Sequence, residues 1–106
     1  MPKYLIRATY TAQGLAGLRN DKASGRRQSA SSTLESVGGK LEAFYFVLGE
    51  DDVIIIADMP DNTAAAAVAL AVSASGAIRT TTTALLTVEE TDAALAKNVN
   101  FRPPGK

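Results

Sequence analysis

Residues 40–58 read KLEAFYFVLGEDDVIIIAD, which predicts two β-strands joined by a turn at Gly49–Asp52. In the first strand, Leu41–Leu48, both faces are largely apolar, and the second strand, Val53–Asp58, begins as an unbroken apolar run. Strands of this kind are usually covered on both sides. The pair lies between two segments with helical spacing, and this placement decides the architecture.

The rest of the chain alternates between strand and helix patterns. The threonine run 80–83 is β-branched and favours a strand, whereas Thr87 and Glu90 have the spacing of a helix capping box. The predicted elements are strand Tyr4–Tyr10, a short turn through Gly14 and Leu18, a helix from about Lys22 to Val37, strand Leu41–Leu48, strand Val53–Asp58, a helix from Pro60 to a stop at Gly76, strand Ile78–Thr87 and a short helix Val88–Lys97.

This order predicts an α+β, ferredoxin-like βαββαβ fold, with a four-stranded antiparallel sheet, two helices on one face and a short C-terminal helix. We expect one domain over residues 1–97 and a flexible tail over 98–106. An open apolar face of several hundred Å² favours aggregation, so we expect a homo-oligomer joined through the sheet faces. Phe44 and Phe46 are expected in that interface; the alternative strand phase puts Tyr45 outward instead.

Composition excludes several kinds of chemistry. The chain has no His and no Cys, which removes the common catalytic triads, nitrogen- or sulfur-ligated zinc, His- or Cys-held haem, and disulfides. Eleven basic residues balance eleven acidic ones, so no net field draws the protein to nucleic acid or an anionic membrane. The sequence has no signal-peptide pattern, and its most apolar window, residues 64–74, is too short to span a bilayer, so we expect a cytoplasmic protein. We also expect no cofactor.

Two local patterns have weak alternative interpretations. The acidic turn Glu50–Asp52 offers oxygen ligands but lacks the ligand spacing of a calcium loop, so we expect solvated acids and no metal site. Aromatic residues 44–46 resemble a base-stacking platform, but the basic-glycine-aromatic pattern of RNA-recognition domains is missing. Arg26 and Arg27 are interpreted as part of a solvated helix face.

A candidate binding cleft depends on the predicted strand pairing. Arg7 and Arg79 lie on strands expected to pair as central neighbours, and with the hydroxyls of Thr9 and Thr81 they would line a cleft for an anionic small molecule. In the other interpretation the two arginines pair with acidic residues across strands or subunits. Asp58 and Glu42 are the acidic residues considered for that pairing, and Thr83 is a further possible cleft residue. The predicted ligand-binding residues are Arg7, Thr9, Tyr45, Asp52, Arg79 and Thr81.

Over Lys3–Glu90 the chain resembles the GYD-domain proteins, named for a Gly-x-Tyr-Asp pattern at the start of the third strand. The resembling segments are residues 10–15 (YTAQGL), 38–41 (GGKL), 48–53 (LGEDDV), 59–61 (MPD) and 76–82 (GAIRTTT). The resemblance implies the dimeric α/β-barrel type of ferredoxin-like domain, in which two sheets pack through their open faces, and a family without an established activity. Asp51 stands where the family has Tyr, while Gly49 and Asp52 fit a tight connection between strands.

Two function hypotheses follow. In the first, the protein is a homo-oligomer that binds a small organic or anionic ligand at the sheet or the interface without turnover. In the second, it is a cofactor-independent isomerase or monooxygenase-like enzyme acting on a small aromatic or lactone substrate. Tyr45 and Asp52 would then act on the substrate, and Arg79 would orient its carboxylate.

Overall fold

The four strands form a single antiparallel sheet in the order β2-β3-β1-β4. The computed structural model describes residues 1–106. Its elements are β1 Lys3–Tyr10, α1 Ala12–Glu35, β2 Lys40–Phe46, β3 Val53–Asp58, α2 Asn62–Ala74, β4 Ile78–Leu85 and α3 Val88–Leu95. The α+β, ferredoxin-like prediction is confirmed, with one difference of placement: β1 and β4 pair as expected, but β4 is an edge strand and β3 is the second central strand.

The core lies between one face of the sheet and the helices. Alternate residues of β1 point to that face and are buried, because a strand directs successive side chains to opposite sides. The main core cluster consists of Tyr4, Ile6, Leu34, Ala57, Met59, Ala65 and Val68. The other face of the sheet, here called the open face, carries Leu5, Arg7 and Thr9 of β1, which are half-buried or exposed.

Helix α1 starts earlier than the sequence pattern indicates and is interrupted. The Thr11 side chain accepts a hydrogen bond from the backbone N–H of Gly14 and caps a helical segment at Ala12, where only a short turn was expected. At Lys22 the backbone leaves the helical region, with φ 63° and ψ 170°, and the helix then continues to Glu35. The predicted helix start near Lys22 therefore coincides with the break, and the helical segment from Ala12 to the break was not predicted.

A β-bulge in β2 changes which residues share a face. The register with β3 shifts between Leu41 and Ala43, so Leu41 packs against the core although Ala43 and Tyr45 face the opposite side. Phe44 pairs with Ile55 of the core-facing row, and its ring meets Phe46 edge-on at 5.5 Å between centroids. The expectation that these two phenylalanines form the sheet-to-sheet interface is wrong; the alternative phase, with Tyr45 outward, is found.

The segment after β4 extends away from the sheet. Thr87 and Glu90 form the predicted capping box: Thr87 N donates to Glu90 Oε1 at 2.9 Å, and Glu90 N donates to Thr87 Oγ1 at 3.0 Å. Residues 88–106 are all exposed, so packing does not hold α3 against the rest of the subunit. No helix of the structure combines the length and the apolar character needed to cross a membrane.

Candidate functional site

A polar cleft lies on the open face where β1 and β4 pair. It has a volume of about 240 Å³ and no hydrophobic side chain in its lining. Its lining residues are Arg7, Thr9, Asp51, Arg79, Thr80 and Thr81. We call it the open-face cleft. Four of the six ligand-binding residues predicted from the sequence lie in it.

Strand register brings the two arginines of the cleft close together. Arg7 pairs with Thr81, and Thr9 pairs with Arg79, so the arginines are diagonal neighbours on adjacent strands. Such neighbours lie about 7–8 Å apart, within reach of long side chains. A small ligand with two anionic or hydrogen-bond-accepting ends can therefore contact both guanidinium groups.

Neither Arg7 nor Arg79 forms an ion pair within the subunit. The carboxylates considered as their partners are both taken by Lys3, whose Nζ lies 2.8 Å from Glu42 Oε1 and 2.9 Å from Asp58 Oδ1. The hydrogen bonds that Lys3 donates to Glu42 and, as the second cause, to Asp58 raise the pKa of Lys3 above its ordinary value. The alternative interpretation, in which the arginines pair with these acids, is therefore wrong within one subunit, and both guanidinium groups stay available to a ligand.

Asp51 is the one carboxylate in the cleft. The hydroxyl of Thr9 donates a long hydrogen bond of 3.4 Å to Asp51 Oδ1. With two guanidinium groups and one carboxylate, the cleft carries a net positive charge and is positive mainly on the side away from Asp51. This distribution suits a ligand that has an anionic group and, at another point, a hydrogen-bond donor.

Tyr45 and Asp52 do not line the cleft. Tyr45 lies in the same row of the open face as Arg7, but Ile54 stands between them, so their strands are about 10 Å apart. Asp52 Oδ2 accepts a hydrogen bond of 2.9 Å from the backbone N–H of Tyr10. The structure therefore does not bring Tyr45, Asp52 and Arg79 together, as the enzyme hypothesis requires.

The acidic turn uses its carboxylates separately. Asp51 faces Thr9 and Asp52 binds the end of β1, and no group of three or more acidic side chains is arranged to hold a metal ion. Gly49 has free space around its Cα, and its φ lies outside the left-handed region. The turn conformation therefore does not require glycine at position 49, whereas it does use the carboxylate of Asp52.

Sequence reasoning misplaced Arg26. The next residue, Arg27, is exposed, as expected of a solvated helix face. The Nε atom of Arg26, in contrast, is buried, and its side chain lines a pocket on the helix side of the sheet. The signal was present: Arg26 precedes Ala30 by four residues and Leu34 by eight, which places all three on one helical stripe.

Comparison with known proteins identifies a family. A family model described as the GYD domain matches residues 4–95, which extend from β1 to the last residue of α3. No curated protein and no solved structure matches the chain.

Proposed function

The chain belongs to the GYD-domain family, and from that premise we propose that it is a homo-oligomeric binding protein of the dimeric α/β-barrel type that holds a small organic anion in the open-face cleft without turnover. The observation that carries the proposal is the convergence of Arg7 and Arg79, neither paired with a carboxylate, in a cleft of about 240 Å³ without hydrophobic lining.

The chemistry of the cleft favours a compact, polar anion. A guanidinium group offers parallel N–H donors that match a carboxylate or a phosphate, and two such groups recognise a ligand with oxygens at both ends. The hydroxyls of Thr9 and Thr81 supply further donors and acceptors. Because the lining is polar throughout, an apolar ligand body would gain little there, so we expect a small dicarboxylate or a phosphate ester.

The open face also supports the oligomer. Leu5, Ile54 and Ile56 are only half-buried on it, and Tyr45 at 68% exposure stands beside them. Covering this surface with a second sheet would stabilise the assembly by about 25 cal/mol for each Å² of apolar area buried. The cleft lies on the same face, so an interface there would shield bound anions from water and strengthen their contacts with the arginines.

The enzyme alternative has no specific observation in its favour. A cofactor-independent isomerase or monooxygenase needs a base that reaches the substrate. Asp52, the residue proposed for that role, binds the backbone N–H of Tyr10, and Tyr45 lies across an intervening strand from the arginines.

Ligand binding is tested by isothermal titration of the full chain with inorganic phosphate and with succinate. We expect Arg7→Gln and Arg79→Gln each to weaken binding about 10-fold or more, since each removes a charge-assisted hydrogen bond. Arg19→Gln is the matched control, because this exposed arginine lies on α1 and does not line the cleft. Equal affinity in all three variants would contradict the proposal. Native mass spectrometry of the purified protein offers a route to the natural ligand.

The oligomer is tested by light scattering at micromolar concentration. Tyr45→Glu should dissociate it, because the change places a charge in a self-complementary interface once per subunit. Leu70→Glu is the control, since Leu70 is 72% exposed on α2, which packs on the other face of the sheet. Phe44→Asp should instead abolish folding. A wild-type protein that is a monodisperse monomer would exclude this part of the proposal.

A further inference from the structure

A second pocket lies on the opposite side of the sheet from the open-face cleft. It is enclosed by the helix-facing side of the sheet, by α1 and by α2, and has a volume of about 80 Å³. Twelve of its sixteen lining residues are hydrophobic, and side chains such as Ile6, Phe44 and Ile55 form its floor on the sheet. We call it the interior pocket.

The interior pocket adjoins a larger outer chamber. This chamber has a volume of about 370 Å³ and lies between the first part of α1 and the end of α2. Four residues line both spaces and so form the boundary between them: Tyr10, Arg26, Val72 and Ile78. The two spaces are therefore neighbours, and Arg26 lies at the boundary between them.

Two buried polar atoms of the interior pocket have no hydrogen-bond partner in the protein. They are Nε of Arg26 and Oγ1 of Thr80. Buried polar groups in folded proteins are nearly always hydrogen-bonded, so two unpaired atoms in one largely apolar pocket call for a partner. Arg26 does not line the open-face cleft, and although Thr80 lies at the edge of that cleft, it pairs with the buried Ala8 and so directs its side chain to the helix side.

The guanidinium group of Arg26 is only loosely held. Its one carboxylate contact joins Nη1 to Asp21 Oδ2 at 3.5 Å, the long limit of a hydrogen bond, and the Asp21 side chain is half exposed. Nε–H and the neighbouring N–H groups can therefore form the parallel pair of hydrogen bonds that a carboxylate accepts. The break at Lys22 separates Asp21 from the helical segment that carries Arg26, and both residues line the outer chamber.

We propose that the interior pocket is a binding site for a small aliphatic monocarboxylic acid. The carboxylate binds the guanidinium group of Arg26, the hydroxyl of Thr80 bonds to a ligand oxygen, and the alkyl chain occupies the apolar interior. The inner volume of 80 Å³ is below the roughly 150 Å³ of an engineered cavity that admits benzene, so it takes the terminal carbons of a short alkyl chain, while the carbons next to the carboxylate lie at the boundary with the outer chamber. This site is independent of the function proposed for the open-face cleft.

The test compares three matched probes on the full chain: hexanoate, hexan-1-ol and hexylammonium, each followed by isothermal titration and by thermal unfolding. We expect hexanoate to bind best and to raise the unfolding temperature. Arg26→Gln should weaken hexanoate about 10- to 100-fold, because a hydrogen-bonded charge is lost in a desolvated site. Arg27→Gln, the exposed neighbour, should leave the affinity unchanged.

Thr80→Val is a second variant that keeps the shape of the side chain. Removing an unpaired buried hydroxyl should raise the unfolding temperature of the ligand-free protein and should weaken hexanoate several-fold. If Arg26→Gln does not fold, the hexanoate affinity of Thr80→Val is the test of the proposed site. Full hexanoate affinity in both variants would overturn the proposal. Hexan-1-ol binding as tightly as hexanoate would overturn it as well, and so would the absence of saturable hexanoate binding up to roughly 10 mM.

Discussion

The backbone N–H of Tyr10 donates a hydrogen bond of 2.9 Å to the carboxylate of Asp52. The N–H of Asp52 in turn donates to the carbonyl of Ala8 at 2.9 Å. These two bonds join the turn before β3 to the last residues of β1, where the chain enters α1. The aspartate of the family signature therefore has a structural task in this chain, at a corner where two strands and a helix meet.

Replacing Asp52 should destabilise the protein without affecting ligand binding directly. We expect Asp52→Ala to lower the free energy of unfolding by about 1–3 kcal/mol, because a half-buried backbone N–H loses a charged acceptor. Asp51→Ala, which removes only a 3.4 Å bond from Thr9, should cost less than about 0.5 kcal/mol. Urea denaturation measures both changes. Equal losses in the two variants would show that the Tyr10 bond is unimportant.

Alanine substitutions at Gly14 and Gly17 should change the stability of the protein in opposite directions. A Cβ on Gly14 would overlap the carbonyl oxygen of Ala77, so Gly14→Ala should destabilise the fold by about 1–3 kcal/mol. A Cβ on Gly17 meets nothing within 4 Å, and Gly17→Ala should stabilise α1 by about 0.5–1 kcal/mol. Thermal unfolding of the two variants is a direct comparison. A stabilised Gly14→Ala would mean that α1 does not approach β4 this closely.

A glycine at position 22 should relieve the backbone strain at the break in α1. Lys22 has φ 63° and ψ 170°, a region that is essentially restricted to glycine and costs other residues about 1–3 kcal/mol. Lys22→Gly should therefore raise the free energy of unfolding by about 1 kcal/mol. Lys22→Ala, which removes the charge but keeps the Cβ, should bring no comparable gain. If urea denaturation gives alanine the larger stabilisation, α1 is continuous in solution.

Helix α3 should lose structure in acid. The pKa of Glu90 lies below its ordinary value of 4.5. The main cause is its hydrogen bond with the backbone N–H of Thr87, and the second is hydrogen bonding with the side chain of Thr87. A group with a lowered pKa in the folded state stabilises that state above the unfolded pKa and loses the effect as pH falls through the folded value. Circular dichroism should therefore show a loss of helix below about pH 4.5.

Glu90→Gln is the control for that titration. Glutamine can keep the capping box, so the variant should retain α3 at neutral pH but lose less helix in acid than the wild type. Superimposable acid titrations of the two proteins would rule out the capping box as the cause. The two proteins differ at position 90 alone, so a difference between them reports on Glu90.

Much of the fold could be predicted because the first strand alternates, the next two are apolar runs joined by a polar turn, and α2 and α3 have recognisable starts. The first part of α1 escaped prediction because its glycines and polar residues hide any apolar period; it depends on the Thr11 cap and on contact with Ala77. The bulge near Leu41 escaped too, because an extra residue in a strand is fixed by pairing with its neighbour, which the pattern of one strand does not contain.

The candidate sites were predictable to different degrees. Arg7 and Arg79 were found from alternation and strand order, which together place side chains on one face. The distance of Tyr45 from the arginines depends on the register of three strands. Residues that point to the same face of a sheet can still lie two strands apart, as Tyr45 and Arg7 do. Arg26 was assigned to solvent because it is charged, although a long side chain can bury its stem and direct its charge into a pocket.

The four threonines of β4 do not define the alignment of that strand, which depends on its flanking residues, such as Ile78 on the helix side and Arg79 on the open face. Thr80 and Thr82 face the helices while Thr81 and Thr83 face outward, so a slip of one residue would replace hydroxyl by hydroxyl on both sides. The alignment is instead anchored where β4 begins: the N–H of Thr11 donates to the carbonyl of Ala77 at 3.0 Å. The start of α1, together with Ile78 and Arg79, thus sets which threonine each pocket receives.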